Sequence, residues 1–380
     1  MEVSVLRFLF LVLHISYFVN CQSSDATSLL AKPTLVRVFV ALRHGSRAPS
    51  YETYVNDSYL KTNEQIWPAG PGELTKNGKQ EAFEMGQKLR TRYSEFLSDY
   101  YKTKEFRAFS TLKERTMMTA ELAAAGLFPP EGFQKWNSEL AWQPVPVFPD
   151  YVINQTDDLN CKWIWPVSKA EMKNTPASEF GLDKDDLRLL QDHIGLYNED
   201  PFTFMSKLWD VWDTIFYQDK ENLPLPQWTK TLYPDKMPAA VLKFVKFYLS
   251  GSTTRKMMLM GPYGKGLASY FTKSERKMEL HAWHDMNMIS LMTTLGVEIE
   301  KYPDPTATVA IELHKKNEEY YFEVYYYSNH KENIPKLMKM PCGTNCSSST
   351  IIKQLQTYAQ ANIEELCEKE KAKLNATNSV

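Results

Sequence analysis

The run from Leu35 to Pro49 constrains this chain more than any other part of it. Leu35, Val36, Val38, Phe39, Val40 and Leu42 make an apolar strand that passes without a break into Arg43-His44-Gly45-Ser46-Arg47-Ala48-Pro49. So apolar a strand belongs inside an α/β sheet, and such sheets bind ligands in the crevice outside the carboxyl ends of their strands. An imidazole flanked there by two guanidinium groups suits phosphate. Planar forks hold its oxygens by charge-assisted bonds, and the imidazole can attack phosphorus. Gly45 is expected to let the backbone approach the anion closely. A basic surface loop would carry the same charges, but it would not need so apolar a strand before it.

All five fixed positions of the pattern Arg-His-Gly-x-Arg-x-Pro are present, as Arg43, His44, Gly45, Arg47 and Pro49. In this the chain resembles the histidine acid phosphatases. The resemblance implies an α/β histidine-acid-phosphatase fold, a central mixed sheet flanked by helices with a smaller helical domain inserted over the site. It also implies a possible homodimer, no cofactor and no metal, and the sequence offers no ligand cluster that suggests a metal.

With 380 residues there is room for one large domain or a domain plus an insertion. A formal charge of -2 gives no reason to expect nucleic acid or an anionic membrane as partner. Arg7 followed by Phe8, Leu9, Phe10, Leu11, Val12 and Leu13, turning polar after Cys21, has the layout of a secretory signal peptide over residues 1–21. No later segment has the roughly 18 apolar residues of a membrane span. Secretion to the extracellular space is therefore expected. Four cysteines remain beyond the leader, Cys161, Cys342, Cys346 and Cys367, which allows two disulfides in three connectivities. The resemblance implies Cys342 with Cys346 and Cys161 with Cys367. Glycosylation sequons stand at Asn56, Asn154, Asn345 and Asn375.

Periodicity predicts a helix over 75–100, a strand over 105–111, a helix over 117–125, a buried strand over 256–260 before Gly261-Pro262, a strand over 280–283 and a helix over 286–295. Residues 307–313 and 320–327 read as a hairpin. The expected division is an α/β core over 32–160 and 252–367, a helical insertion over 161–251 and a frayed, flexible tail over 368–380. The insertion carries several tryptophans and a Val241, Leu242, Val245, Leu249 stripe that marks core.

His284-Asp285, after a strand and before a helix, sits where the family places its second catalytic pair. The resemblance implies that Arg43 and Arg47 grip phosphate, His44 becomes the phosphohistidine, His284 stabilises the transition state and Asp285 protonates the leaving alcohol. A third phosphate arginine is expected just before Ser110-Thr111-Leu112-Lys113-Glu114-Arg115-Thr116, and that position is Phe109. Arg107 shares a strand face with Phe109, about 7 Å along, and is the expected partial substitute. Phe148 stands where histidine is usual, and a disulfide found in vertebrate relatives is missing at about Tyr217 and Thr308.

A cradle with two forks and an aromatic ring in place of the third reads as degraded. Phe109 with Asp285 could take an ammonium group, and Arg43 and Arg47 a carboxylate. In this the chain is similar to the flea salivary acid-phosphatase-like proteins, which bind biogenic amines and leukotrienes. The expectation is therefore a secreted protein that sequesters such small ligands in the saliva of a blood-feeding insect, with Arg43, Arg47, Arg107, Phe109 and Asp285 as the binding set. The alternative is an active secreted acid phosphatase that hydrolyses phosphomonoesters.

Overall fold

The computed structural model describes residues 29–50, 54–153, 161–197 and 199–377. The expected leader and the sequon at Asn154 lie outside them, while Asn56, Asn345 and Asn375 are exposed.

The chain builds one mixed sheet. Strand β1 (Leu35–Arg43), β2 (Phe106–Ser110), β3 (Val147–Pro149) and β4 (Met278–Trp283) run parallel in the spatial order β3-β2-β4-β1. Antiparallel β5 (Thr308–Lys316), β6 (Glu319–Tyr327) and β7 (Lys336–Met338) extend it beyond β1, and short β8 (Cys346–Ser347) pairs with β6. β1 and β4 are neighbours in register from Val38↔Met278 to Arg43↔Trp283, so both deliver their carboxyl ends to one edge.

Alternation along β1 divides the core. Val38, Val40 and Leu42 face α1 (Lys76–Arg92) and α2 (Glu114–Leu127), among Met85, Leu89, Ala120 and Ala123. Phe39 and Ala41 face the other side, in a cluster that continues through Trp283 into helices α3 (Ile164–Met172), α4 (Lys184–Ile194), α5 (Pro201–Lys220) and α6 (Lys236–Ser250). Burying each such Val, Leu or Phe contributes about 1.5–3 kcal/mol. The helical interval and the sheet thus share apolar contacts, and Val241, Leu242, Val245 and Leu249 are buried as their stripe predicts.

Three expectations are corrected. The strand predicted over 256–260 lies inside helix α7 (Thr253–Lys273). Its Met and Leu side chains are not branched at Cβ and favour helix, the Ser252 hydroxyl accepts from Arg255 N at 3.1 Å to cap its start, and the helix runs on through Pro262. The tail does not fray at Glu368: after α8 (Asp285–Leu295) and α9 (Ser348–Ala359), helix α10 spans Ile363–Thr377, with the Glu370 side chain buried and accepting from the Ser252 hydroxyl at 3.3 Å. Helix α1 stops at Arg92, eight residues short of the predicted end, where Tyr93 forms the C-cap. Gly45 is also needed for the packing of the chain itself. A Cβ there would lie 2.2 Å from the Gly78 carbonyl oxygen, so the glycine lets the loop after β1 press against the first turn of α1.

The disulfides are Cys161–Cys367 and Cys342–Cys346, the pairing that the resemblance implies.

Candidate active site

The loop after β1 is fixed before any side chain acts. His44 N donates to Trp283 O at 2.9 Å, Gly45 N to the Thr119 hydroxyl at 3.3 Å, and Ser46 N and Oγ to the Glu81 carboxylate at 2.7 and 2.9 Å. The His44 ring, 1% exposed, has Nδ1 2.9 Å from its neighbour Gly45 O. A carbonyl only accepts, so Nδ1 carries the hydrogen and Nε2 keeps its lone pair. Burial, followed by the charges of Arg115, Arg43, His284 and Arg47, holds His44 well below the ordinary imidazole range. The ring therefore stays neutral in mild acid.

Arg43 is fully buried. Its Nη1 donates to Pro303 O, and its Nη2 to the Tyr217 hydroxyl at 3.0 Å and to Asp285 Oδ2 at 2.6 Å. Arg47 donates from Nη1 to Ala48 O at 3.0 Å and from Nη2 to Asp213 Oδ1 at 2.8 Å, with Tyr217 under its guanidinium at 4.4 Å. The Nε atoms of both arginines are buried and have no hydrogen-bond partner. Two fixed donors held away from water in this way suit an anion.

β4 leads directly into His284-Asp285, the N-cap and first residue of α8. The His284 side chain lies between Thr111 Oγ1, 3.0 Å from its Nε2, and Arg115 Nη2, 3.3 Å from its Nδ1. Arginine can only donate, so Nδ1 accepts, and Nε2–H points to the hydroxyl, which in turn lies 2.7 Å from Thr116 Oγ1. Burial and the nearby Arg115 push His284 down to about 3. The rings of His44 and His284 meet edge to face, 5.5 Å apart. Burial alone would raise the Asp285 carboxyl, but Arg43, Arg47, His284 and the Met286 N–H together hold it below the usual range.

Arg115 therefore overturns the expected gap. It stands in the first turn of α2, reaches His284, and is the largest charge acting on both imidazoles. The site has three guanidinium groups. Phe109 does not occupy the position of a third: it stacks on His281, with centroids 4.7 Å apart and planes at 15°, while Phe39 covers the other face of that ring at 4.3 Å. The register pairs Phe109 with His281 across β2 and β4, which places both on the core face below the site. Arg107 does not swing into the cradle either, because its guanidinium lies over Phe148 at 4.5 Å.

Asp213 and Tyr217 escaped the sequence reading. They sit one turn apart on α5, more than 160 residues from the motif they contact. An acid set between Val211-Trp212 and Ile215-Phe216, on the buried stretch of this helix, was the available signal. A carboxylate–imidazole cluster also appears among the described residues: Glu312, His314 and Glu323, with candidate ligand atoms within 4.8 Å of one another. Arg92, Tyr93, Lys32 and Tyr325 already bind its carboxylates. Sequence spacing had not revealed it, because β5 and β6 bring it together only when paired.

Comparison with known proteins adds the following. Residues 34–162 match the model described as histidine phosphatase superfamily (branch 2). The chain is similar to a venom acid phosphatase of Apis mellifera, 26% identical over 365 residues covering 90% of each chain. It is similar to the lysosomal acid phosphatase of Homo sapiens, 28% identical over 350 residues covering 87% of this chain and 80% of that one. Among solved structures, the apo phytase of Hafnia alvei aligns with a TM-score of 0.64 at 15% identity, over 89% of this chain and 99% of that one. The last comparison concerns the fold alone.

Proposed function

This chain carries a domain of the histidine phosphatase superfamily, branch 2, across residues 34–162, and from that premise we propose that it is an acid phosphatase acting on phosphomonoesters. The observation that carries the proposal is Arg115 beside His284, which gives the pocket a third guanidinium with Arg43 and Arg47. The ligand-sequestering reading depended on that position being vacant, and the phosphatase is preferred for this reason. Titration calorimetry with serotonin, histamine and a cysteinyl leukotriene tests the sequestering reading directly.

In the proposed reaction, the three arginines hold the phosphoryl oxygens and His44 Nε2 attacks phosphorus. The N–P bond forms as the ester P–O bond breaks, and Asp285 supplies the proton to the leaving alcohol. In acid the singly ionised ester brings a proton with it; phosphoryl oxygens that take up donors of Arg43 loosen its pair with Asp285, and the carboxyl receives that proton from the ester. Water next attacks the phosphohistidine, Asp285 takes the proton of that water, and phosphate leaves. Tyr217, on the helix that lies over the site, keeps Arg43 and Arg47 in place.

The paired cysteines, together with the leader-like sequence and the exposed sequons, support secretion as a glycoprotein. Hydrolysis of p-nitrophenyl phosphate at about pH 5, compared with the His44→Ala variant, tests the catalytic reading. Turnover that His44→Ala abolishes is expected; an inert wild-type protein overturns the proposal.

A further inference from the structure

Asp213 has no part in the chemistry above, yet it lies 3% exposed against the phosphate arginines. Its Oδ1 accepts from Arg47, while Oδ2 is buried without a hydrogen-bond partner. The groups facing it come from several elements: Arg43 at the end of β1, Arg47 from the following loop, Asp285 at the start of α8, Tyr217 on its own helix, and Tyr302, whose ring packs on Trp212 and lies 5.7 Å from Arg43.

The charges decide what this pocket can hold. Arg43, Arg47 and Arg115 bring three positive charges, Asp213 and Asp285 two negative ones, and both imidazoles are held neutral. The sum is one positive charge. A singly ionised phosphomonoester balances it, whereas a doubly ionised one, the main form above its second pKa of about 6, leaves a negative charge in a buried site.

We infer that Asp213 is a positioning residue that takes up a proton from solvent when a doubly charged phosphoryl group enters, so that anion binding here is coupled to protonation of this carboxyl. Oδ2 is the atom available for that proton, since Oδ1 must stay on Arg47. Asp285 is the poorer acceptor from solvent, because both its oxygens are engaged, Oδ2 by Arg43 at 2.6 Å and Oδ1 by the Met286 N–H at 2.7 Å. Burial raises the Asp213 carboxyl against the pull of Arg47 and Arg43, whereas the Asp285 carboxyl is held down by its arginines despite burial. The protonated side chain keeps its hold on Arg47 and adds an O–H donor to a cradle that otherwise carries an uncompensated anion.

The inference rests on the anion-cradle reading of the proposed function, and its test needs no turnover. Sulfate stays doubly charged throughout the acid range, so any pH dependence in its binding belongs to the protein. Calorimetry of sulfate binding to the wild-type protein, in buffers of different ionisation heat near pH 6, is expected to show uptake approaching one proton per sulfate. Affinity should weaken by up to about tenfold for each pH unit above that. Asp213→Asn should flatten the dependence to less than about threefold per unit, and Asp213→Glu should restore it. Absence of proton uptake in the wild type, or an unchanged slope in Asp213→Asn, overturns the inference. So does an absence of sulfate binding. Hydrolysis of p-nitrophenyl phosphate, measured alongside, separates the two claims: pH-linked sulfate binding without turnover removes the catalytic reading and leaves this one standing.

Discussion

Arg115 donates from Nη2 to Nδ1 of His284 across 3.3 Å, and this contact ties the start of α2 to the end of β4. It also fixes which nitrogen of His284 carries hydrogen, leaving Nε2–H toward Thr111. Because Arg115 is the largest charge acting on His44 as well, one side chain keeps both imidazoles unprotonated in acid. Removing it should raise both imidazole pKa values. The acid limb of kcat/KM in Arg115→Ala is therefore expected at higher pH than in the wild type, since His44 then protonates sooner and ceases to be a nucleophile. A pH–rate profile on both proteins checks this, and coincident acid limbs would contradict it.

Phe109→Arg is expected to harm the protein. The ring at 109 is stacked on His281, whose burial lowers its pKa but which Asp150 and Glu279 together hold above the usual range. A second cation set against that imidazole, with the stack lost, should cost at least about 3 kcal/mol. Denaturant unfolding of the purified variant reads the loss. A more active and equally stable Phe109→Arg protein would mean that the vacant-cradle reading was right.

The misreading of position 109 shows where sequence legibility ended. Strand-end motifs were readable because β1 and β4 are adjacent, so Arg43-His44 and His284-Asp285 had to converge once each was placed after an apolar strand. The third arginine was assigned to the strand, where the two-residue period turns position 109 toward His281; the residue that reaches the site lies past the strand, in the first turn of α2. Arg115 was in view all along within Ser110 to Thr116. Asp213 and Tyr217 were not legible in the same way, because only tertiary packing brings α5 onto the loop after β1. The run over 256–260 failed because a short apolar stretch has no period of its own, and a proline that bounds most helices lies inside this one.

Stability should fall in acid through His284. Its folded pKa of about 3 lies below the unfolded value of about 6.5. Below about pH 6.5 the unfolded chain binds a proton that the folded one refuses, so this contribution is intact above that pH and is lost as pH drops toward the folded value. The limiting slope is about 1.4 kcal/mol per pH unit. In His284→Asn the difference in unfolding free energy between about pH 7 and about pH 4.5 should shrink by about 2 kcal/mol. Equal acid sensitivity in urea unfolding of the two proteins would contradict this.

The Cys161–Cys367 bridge closes a loop with a sequence separation of 206 and holds α10 against the body of the protein. Replacing both cysteines with serine should lower stability by about 3–5 kcal/mol and expose the chain near Glu370 to protease. Limited proteolysis combined with thermal unfolding checks both effects, and a doubly substituted protein with an unchanged Tm would contradict the role of the bridge.

The most direct test of the three-guanidinium site is the turnover of p-nitrophenyl phosphate by wild type and Arg115→Ala at about pH 5, with unfolding midpoints measured in parallel. The expected result is an active wild type and a variant whose kcat is lower by about 100-fold to 1000-fold at nearly equal stability. Equal kcat in the two proteins, or no turnover in the wild type, would contradict it.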